Sequence, residues 1–153
     1  LALAAGLVLP TPFAEGDPAR IERARAELAA LSAALLAHRV DTGRWPDLVP
    51  RATVLPAQHE LLGPGSLAAD TRRLPGWRGP YLDPERTPLH GLLLDPWGRV
   101  YTVFGLPPGP TGAGSAVWLV SAGPDRVLRT TPEDLAGGDA RGDDLASLVS
   151  RRP

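Results

Sequence analysis

The chain has 153 residues, with 16 cationic and 17 anionic side chains that give a formal net charge of −1. This balance argues against a nucleic-acid-binding protein, because there is no net positive field to attract a polyanion. Cysteine and lysine are both absent, which excludes disulfides, zinc–thiolate sites, iron–sulfur clusters, cysteine nucleophiles and lysine-based catalysis.

The first segment, residues 1–9, is uniformly apolar. It is too short to span a bilayer, which needs about 20 such residues. The chain contains no methionine, so we expect it to be a fragment or a processed product. Three interpretations remain open: the end of a longer membrane helix, the apolar part of a signal peptide cleaved near Ala14, or a buried core segment. The first two are favoured, since such runs are typically anchoring or targeting remnants.

A long amphipathic helix is predicted over residues 18–40. Asp17 suits the N-cap and Pro18 suits the first helical position. Gly43 is predicted to end the helix, and Pro46 prevents its resumption. Apolar residues recur at spacings of three and four and form one stripe: Ile21, Ala24, Leu28, Leu31 and Leu35. Such a helix buries one face, so a sheet or another helix must cover the stripe.

The segment 44–96 is predicted to be mostly loop. Its nine prolines leave little room for regular elements. A short helical turn near Leu67–Arg73 is the only element expected there. A loop of this length must be held down by its own large side chains, which include Trp45, Trp77 and Tyr81.

A β-meander is predicted over residues 99–129. Residues 99–105 and 115–121 are rich in β-branched and aromatic side chains, and the Pro/Gly-rich segment between them indicates an antiparallel hairpin. A short third strand is expected at 126–129, followed by an acidic loop over 130–147. The order of elements predicts an α+β domain, with the long N-terminal helix packed on a small antiparallel β-sheet.

The acidic C-terminal region is the strongest candidate for a binding site. Asp125 follows the predicted hairpin directly, and Asp143 and Asp144 come eighteen residues later, across several glycines. With backbone carbonyls from the turn at Ser121, these carboxylates would supply the oxygen-rich set that Ca²⁺ prefers. The alternative is a solvated acidic loop closed by Asx-turns, and composition alone favours this alternative.

An enzyme is not predicted. The three histidines, at positions 38, 59 and 90, are scattered, and no nucleophile signature or paired carboxylate accompanies them. His38 falls late in the helix, where the helix dipole favours a histidine for structural reasons.

Five segments, taken together and in this order, resemble motifs of one family: Asp41–Pro46, Gly76–Leu82, Asp95–Tyr101, Val120–Asp125 and Gly142–Leu145. The most specific is Asp95–Tyr101, with the sequence DPWGRVY. The chain resembles the type IV pilin-like proteins, and is most similar to the major pseudopilin of type II secretion systems. By this register, Pro10 lies where these proteins have the proline that ends the membrane-embedded half of the helix.

The resemblance implies a structural subunit rather than an enzyme. Residues 1–14 would be the tail of a truncated hydrophobic anchor in the bacterial inner membrane, and residues 15–153 a periplasmic pilin-like domain. The subunit would join copies of itself and other pseudopilins in a fibre, built at an inner-membrane assembly platform, that drives protein export. The resemblance also implies Ca²⁺ bound by Asp125, Asp143 and Asp144, with a carbonyl from the Ser121 turn.

A second hypothesis is a small exported monomeric domain that binds calcium or another ligand and has lost a signal peptide. It differs from the first in predicting no membrane anchor and no fibre.

Overall fold

The structure, a computed structural model, describes residues 18–46, 48–50, 58–61, 65–70, 72–85, 93–106 and 116–151. Its helices are α1 (Pro18–Thr42), α2 (Gly65–Ala68) and α3 (Pro132–Gly137), and its strands are β1 (Leu48–Pro50), β2 (Gln58–Leu61), β3 (Thr102–Leu106), β4 (Ala116–Ser121) and β5 (Leu145–Arg151). The strands form one antiparallel sheet in the order β1-β2-β3-β4-β5. The predicted α+β class, a long helix on a small antiparallel sheet, is confirmed.

Helix α1 ends where the sequence predicts, within two residues. Gly43 adopts φ 73°, and its N–H donates a 2.8 Å hydrogen bond to the Arg39 carbonyl. This left-handed conformation ends the helix, and glycine occupies the position because most other residues avoid such a φ. Asp17, the predicted N-cap, lies outside the described residues.

The apolar stripe of α1 is covered by its own sheet. Ala24, Leu28, Leu31 and Leu35 are each at most 3% exposed. The three leucines pack in one cluster with side chains of β3, β4 and β5: Val103, Leu119 and Val149. The exposed large apolar residues of α1 are Leu36 and Val40, at 40% and 73%.

The opposite face of the sheet carries a second, smaller core. Phe104, Trp118 and Val120 alternate with the helix-facing residues of β3 and β4, as the period of two requires, and they pack around Leu135 of α3. The sheet is therefore covered by α1 on one side and by the α3 region on the other.

The predicted loop 44–96 contains two strands that the sequence analysis misses. β1 carries Pro50, which pairs with His59 of β2. Proline is tolerated there because β1 is an edge strand of the sheet. The helical turn expected at Leu67–Arg73 is present, but begins earlier, as α2.

Two C-terminal predictions need correction. Residues 126–129 are not a strand, since Arg126 adopts φ 64° and the backbone N–H groups of Val127 and Arg129 donate to carboxylates rather than to a neighbouring strand. The predicted loop 130–147 contains α3 and the start of β5. The threonine before α3, Thr131, forms a capping box with Asp134, where the usual pattern has Glu or Gln.

No helix within the described residues is long and apolar enough to cross a membrane. The predicted anchor tail, residues 1–14, lies outside the described part of the chain.

Candidate metal centre

The five motif segments meet at two junctions, and the first lies at the end of α1. The Tyr81 hydroxyl donates a 2.8 Å hydrogen bond to the Asp41 carboxylate. Gly76 lies so close to the Asp41 carbonyl that a Cβ on the glycine would overlap the oxygen. Hence the segments 41–46 and 76–82 form one packed unit that fixes the end of the helix.

The second junction lies at the end of the sheet where β4 finishes and β5 begins. Asp95 is 4% exposed. Its carboxylate accepts hydrogen bonds from the backbone N–H groups of Trp97 (3.1 Å) and Arg99 (2.8 Å) and from the Ser121 hydroxyl (2.6 Å). The Ser121 oxygen also accepts from the Gly123 N–H at 3.2 Å. The Ser121 side chain thus links the Asp95 segment to the turn after β4. The contribution predicted for Ser121 in a metal site is a backbone carbonyl of that turn and does not involve this side chain.

The predicted carboxylates all lie at this second junction. Gly123, at φ 67°, brings the turn against the Asp143 backbone so closely that a Cβ there would overlap the Asp143 carbonyl. The Asp125 N–H donates to the Asp143 carboxylate at 3.1 Å. Asp144 anchors the segment that leads into α3, because one of its oxygens accepts from the Arg129 N–H and from the N–H and hydroxyl of Thr130, at 2.7–2.8 Å.

Arg129 is a member of this cluster that sequence reasoning misses. Its guanidinium forms an ion pair with Asp125 and lies 3.4 Å from an oxygen of Asp143. Burial raises the pKa of Asp125, but hydrogen bonds from Arg129 and from the Val127 N–H outweigh it and leave this pKa below its ordinary value. The sequence contains no signal for this pair, because a spacing of four brings side chains together only on a helix.

The carboxylate oxygens of the cluster are of the type that calcium takes as ligands. Asp144 is 6% exposed, and its second oxygen, Oδ1, is buried without a hydrogen-bond partner. An unsatisfied buried carboxylate oxygen is costly, by about 1–3 kcal/mol or more, and requires a partner, either a water molecule or a cation. As the side chains are placed, no three acidic or histidine groups among the described residues form a ready metal-binding set. Arg129 lies between two of the three carboxylates in this arrangement.

The model of one family, described as type II secretion system (T2SS), protein G, matches residues 13–136. The chain belongs to this family. No curated protein and no solved structure was found to match. The match to protein G includes Ser121, Asp125 and Arg129, and it ends before Asp143 and Asp144.

Membership of the protein G family, whose members are structural pseudopilins, agrees with a non-enzymatic role. His38 is fully buried, where its Nδ1 lies 3.1 Å from the Arg44 carbonyl and its ring packs edge-on against Tyr81. His59 lies in β2, and His90 is outside the described residues. The structure therefore gives His38 a packing role at the first junction.

Proposed function

We propose that this chain is a structural subunit of a type II secretion pseudopilus, a fibre that grows from the inner membrane and drives protein export. The match to the protein G family over residues 13–136 carries this proposal. Residues 1–14 would continue the apolar anchor into the membrane and leave the globular domain in the periplasm. Other pseudopilins and the inner-membrane assembly platform would be its partners.

The surface of α1 supports an assembly role. The side of the helix that faces away from the sheet carries Leu36 and Val40, and Val40 is 73% exposed. Repeated contact between one such surface and a different surface of the next copy gives an open helical filament. The buried stripe holds the helix rigidly to its sheet, so that the helix and the globular domain would enter the fibre as one body.

We expect Val40→Glu to reduce fibre assembly and export together. The substitution places a charge in a subunit contact, which costs several kcal/mol when the charge is desolvated, yet leaves the isolated fold intact because the side chain is exposed. The measurement is the amount of exported protein in the medium of a host strain whose own copy of the gene is replaced by the variant, with fibres counted by electron microscopy.

Leu94→Glu is the matched control, since Leu94 is also apolar and 51% exposed but belongs to the bridge with Val100 and not to α1. We expect this control to assemble as the parent does. Normal export in a strain that lacks the gene altogether would contradict the pseudopilus role and favour the exported monomeric domain.

We further propose that the C-terminal cluster binds Ca²⁺ through the carboxylates of Asp125, Asp143 and Asp144 and a carbonyl of the Ser121 turn. The unpartnered oxygen of Asp144 supports this assignment. Bound there, the ion would neutralise carboxylates that otherwise repel one another. The side chains of Ser121 and Asp95 would hold the turn in place from the sheet side.

Millimolar calcium should therefore raise the Tm of the chain relative to chelator. An ion bound only by the folded state stabilises it by about 2.7 kcal/mol at a hundred times its Kd, which corresponds to roughly 5–10 °C for a chain of this length. The rise should disappear in Asp125→Ala. It should persist in Asp134→Asn, whose carboxylate caps α3 and pairs with Arg141 instead. An unchanged Tm in the parent would contradict calcium binding.

A further inference from the structure

We propose that Arg129 is a built-in counter-cation whose guanidinium occupies the position between Asp125 and Asp143 that calcium would need. The arginine and the ion then exclude each other, and Arg129 sets how tightly this chain binds calcium. The inference rests on the calcium site proposed above and adds a residue that competes with the ion for its ligands.

The side chain of Arg129 contacts two of the three predicted ligands. One guanidinium nitrogen, Nη1, contacts both Asp125 Oδ2 and Asp143 Oδ1. These two carboxylates come from opposite ends of the cluster, eighteen residues apart, and a single cationic atom joins them. A divalent ion that used the same two oxygens would have to occupy the space that Nη1 holds.

The backbone of Arg129 contacts the third predicted ligand. The Arg129 N–H donates to the third carboxylate, that of Asp144, at 2.8 Å, and Thr130 adds two more hydrogen bonds to the same oxygen. All three predicted ligands therefore contact Arg129 or its neighbour. Because the backbone is held separately from the side chain, the guanidinium can leave without moving the turn.

Solvent exposure makes such an exchange feasible. The side chain of Arg129 is 46% exposed, and those of Asp125 and Asp143 are 26% and 36% exposed. Ion pairs this exposed are weak and readily broken, so the arginine would compete with calcium without blocking it outright. In the absence of calcium, the same contacts would keep the acidic turn folded.

The test compares calcium binding by the full 153-residue chain and its Arg129→Gln variant, by calorimetric titration with calcium chloride. We expect the variant to bind calcium about tenfold more tightly, since two exposed ion pairs no longer compete. In chelator its Tm should fall below that of the parent, and calcium should raise its Tm by more than it raises the parent's.

Arg141→Gln is the control for a general effect of charge. Arg141 also belongs to the C-terminal region, but its guanidinium pairs with Asp134 at 3.0 Å. Removing it should leave calcium affinity within a small factor of the parent's. Arg129→Lys, which keeps a cation at the position, should also stay close to the parent.

The outcomes separate the two proposals. Equal or weaker binding by Arg129→Gln, with clear binding by the parent, would overturn the competition and leave the calcium site standing. An absence of binding in both would overturn both. If Arg129→Gln unfolds in chelator, recovery of its circular dichroism spectrum on adding calcium supports the inference, and failure to recover contradicts it.

Discussion

Replacing Gly123 with alanine should destabilise the fold by roughly 2–5 kcal/mol. Its φ of 67° is costly for any residue with a Cβ, and the new Cβ would overlap the Asp143 carbonyl, which belongs to rigid backbone. The turn after β4 and the segment before β5 would have to separate. Thermal unfolding should show a fall in Tm on the order of 10 °C.

Gly98→Ala separates the cost of the left-handed conformation from the cost of the Cβ overlap. Gly98 has a similar φ of 80°, but a Cβ there would have no atom within 4 Å. We expect this control to lose only the conformational part, about 1–2 kcal/mol. Equal losses of stability in the two variants would show that the close approach of Gly123 to Asp143 does not constrain the fold.

Asp95→Ala should cost about 3–4 kcal/mol of stability, because hydrogen bonds to a charged group contribute roughly 1.5–3 kcal/mol each and buried donors left unpaired add to the loss. Three donors depend on this carboxylate: two backbone N–H groups and the Ser121 hydroxyl. The measurement is the free energy of unfolding from chemical denaturation, with the same m-value used for the parent and the variant.

The matched control is Asp83→Ala. Asp83 also accepts a backbone N–H, that of Glu85 at 3.0 Å, but this turn is exposed. Its loss should stay within about 0.5 kcal/mol, as is usual for surface positions. If Asp95→Ala were no worse than this control, the buried tie between Asp95 and β4 would not be a determinant of stability.

The fold could be predicted where the signal is local. The stripe of α1, its terminal Gly43 and the apolar runs of β3 and β4 are each visible within one segment. β1, β2 and β5 could not be predicted in the same way, because short strands with weak patterns form through pairing with neighbours that the sequence does not identify. The proline that argues against β1 is acceptable only because β1 is at the edge.

The candidate site could also be predicted only in part. Asp125, Asp143 and Asp144 are found from the motifs, and the structure brings them to one junction. Asp95 belongs to the most specific motif, but its role is not predicted, because it bonds a residue 26 positions away. Arg129 is missed because it reaches Asp143 across 14 positions. The left-handed φ of Arg126, which directs the chain toward these contacts, has no signature in the sequence.

The position of β5 has a consequence for the time at which the chain can fold. Ser147 of this last strand bonds Ser32 of α1, 115 positions earlier, and Val149 packs in the same core as Leu28 and Leu31. Contacts of such long sequence separation form slowly and late. The stripe of α1 therefore stays incompletely covered until β5 has been synthesised, and during that interval it is an aggregation-prone surface of the nascent chain.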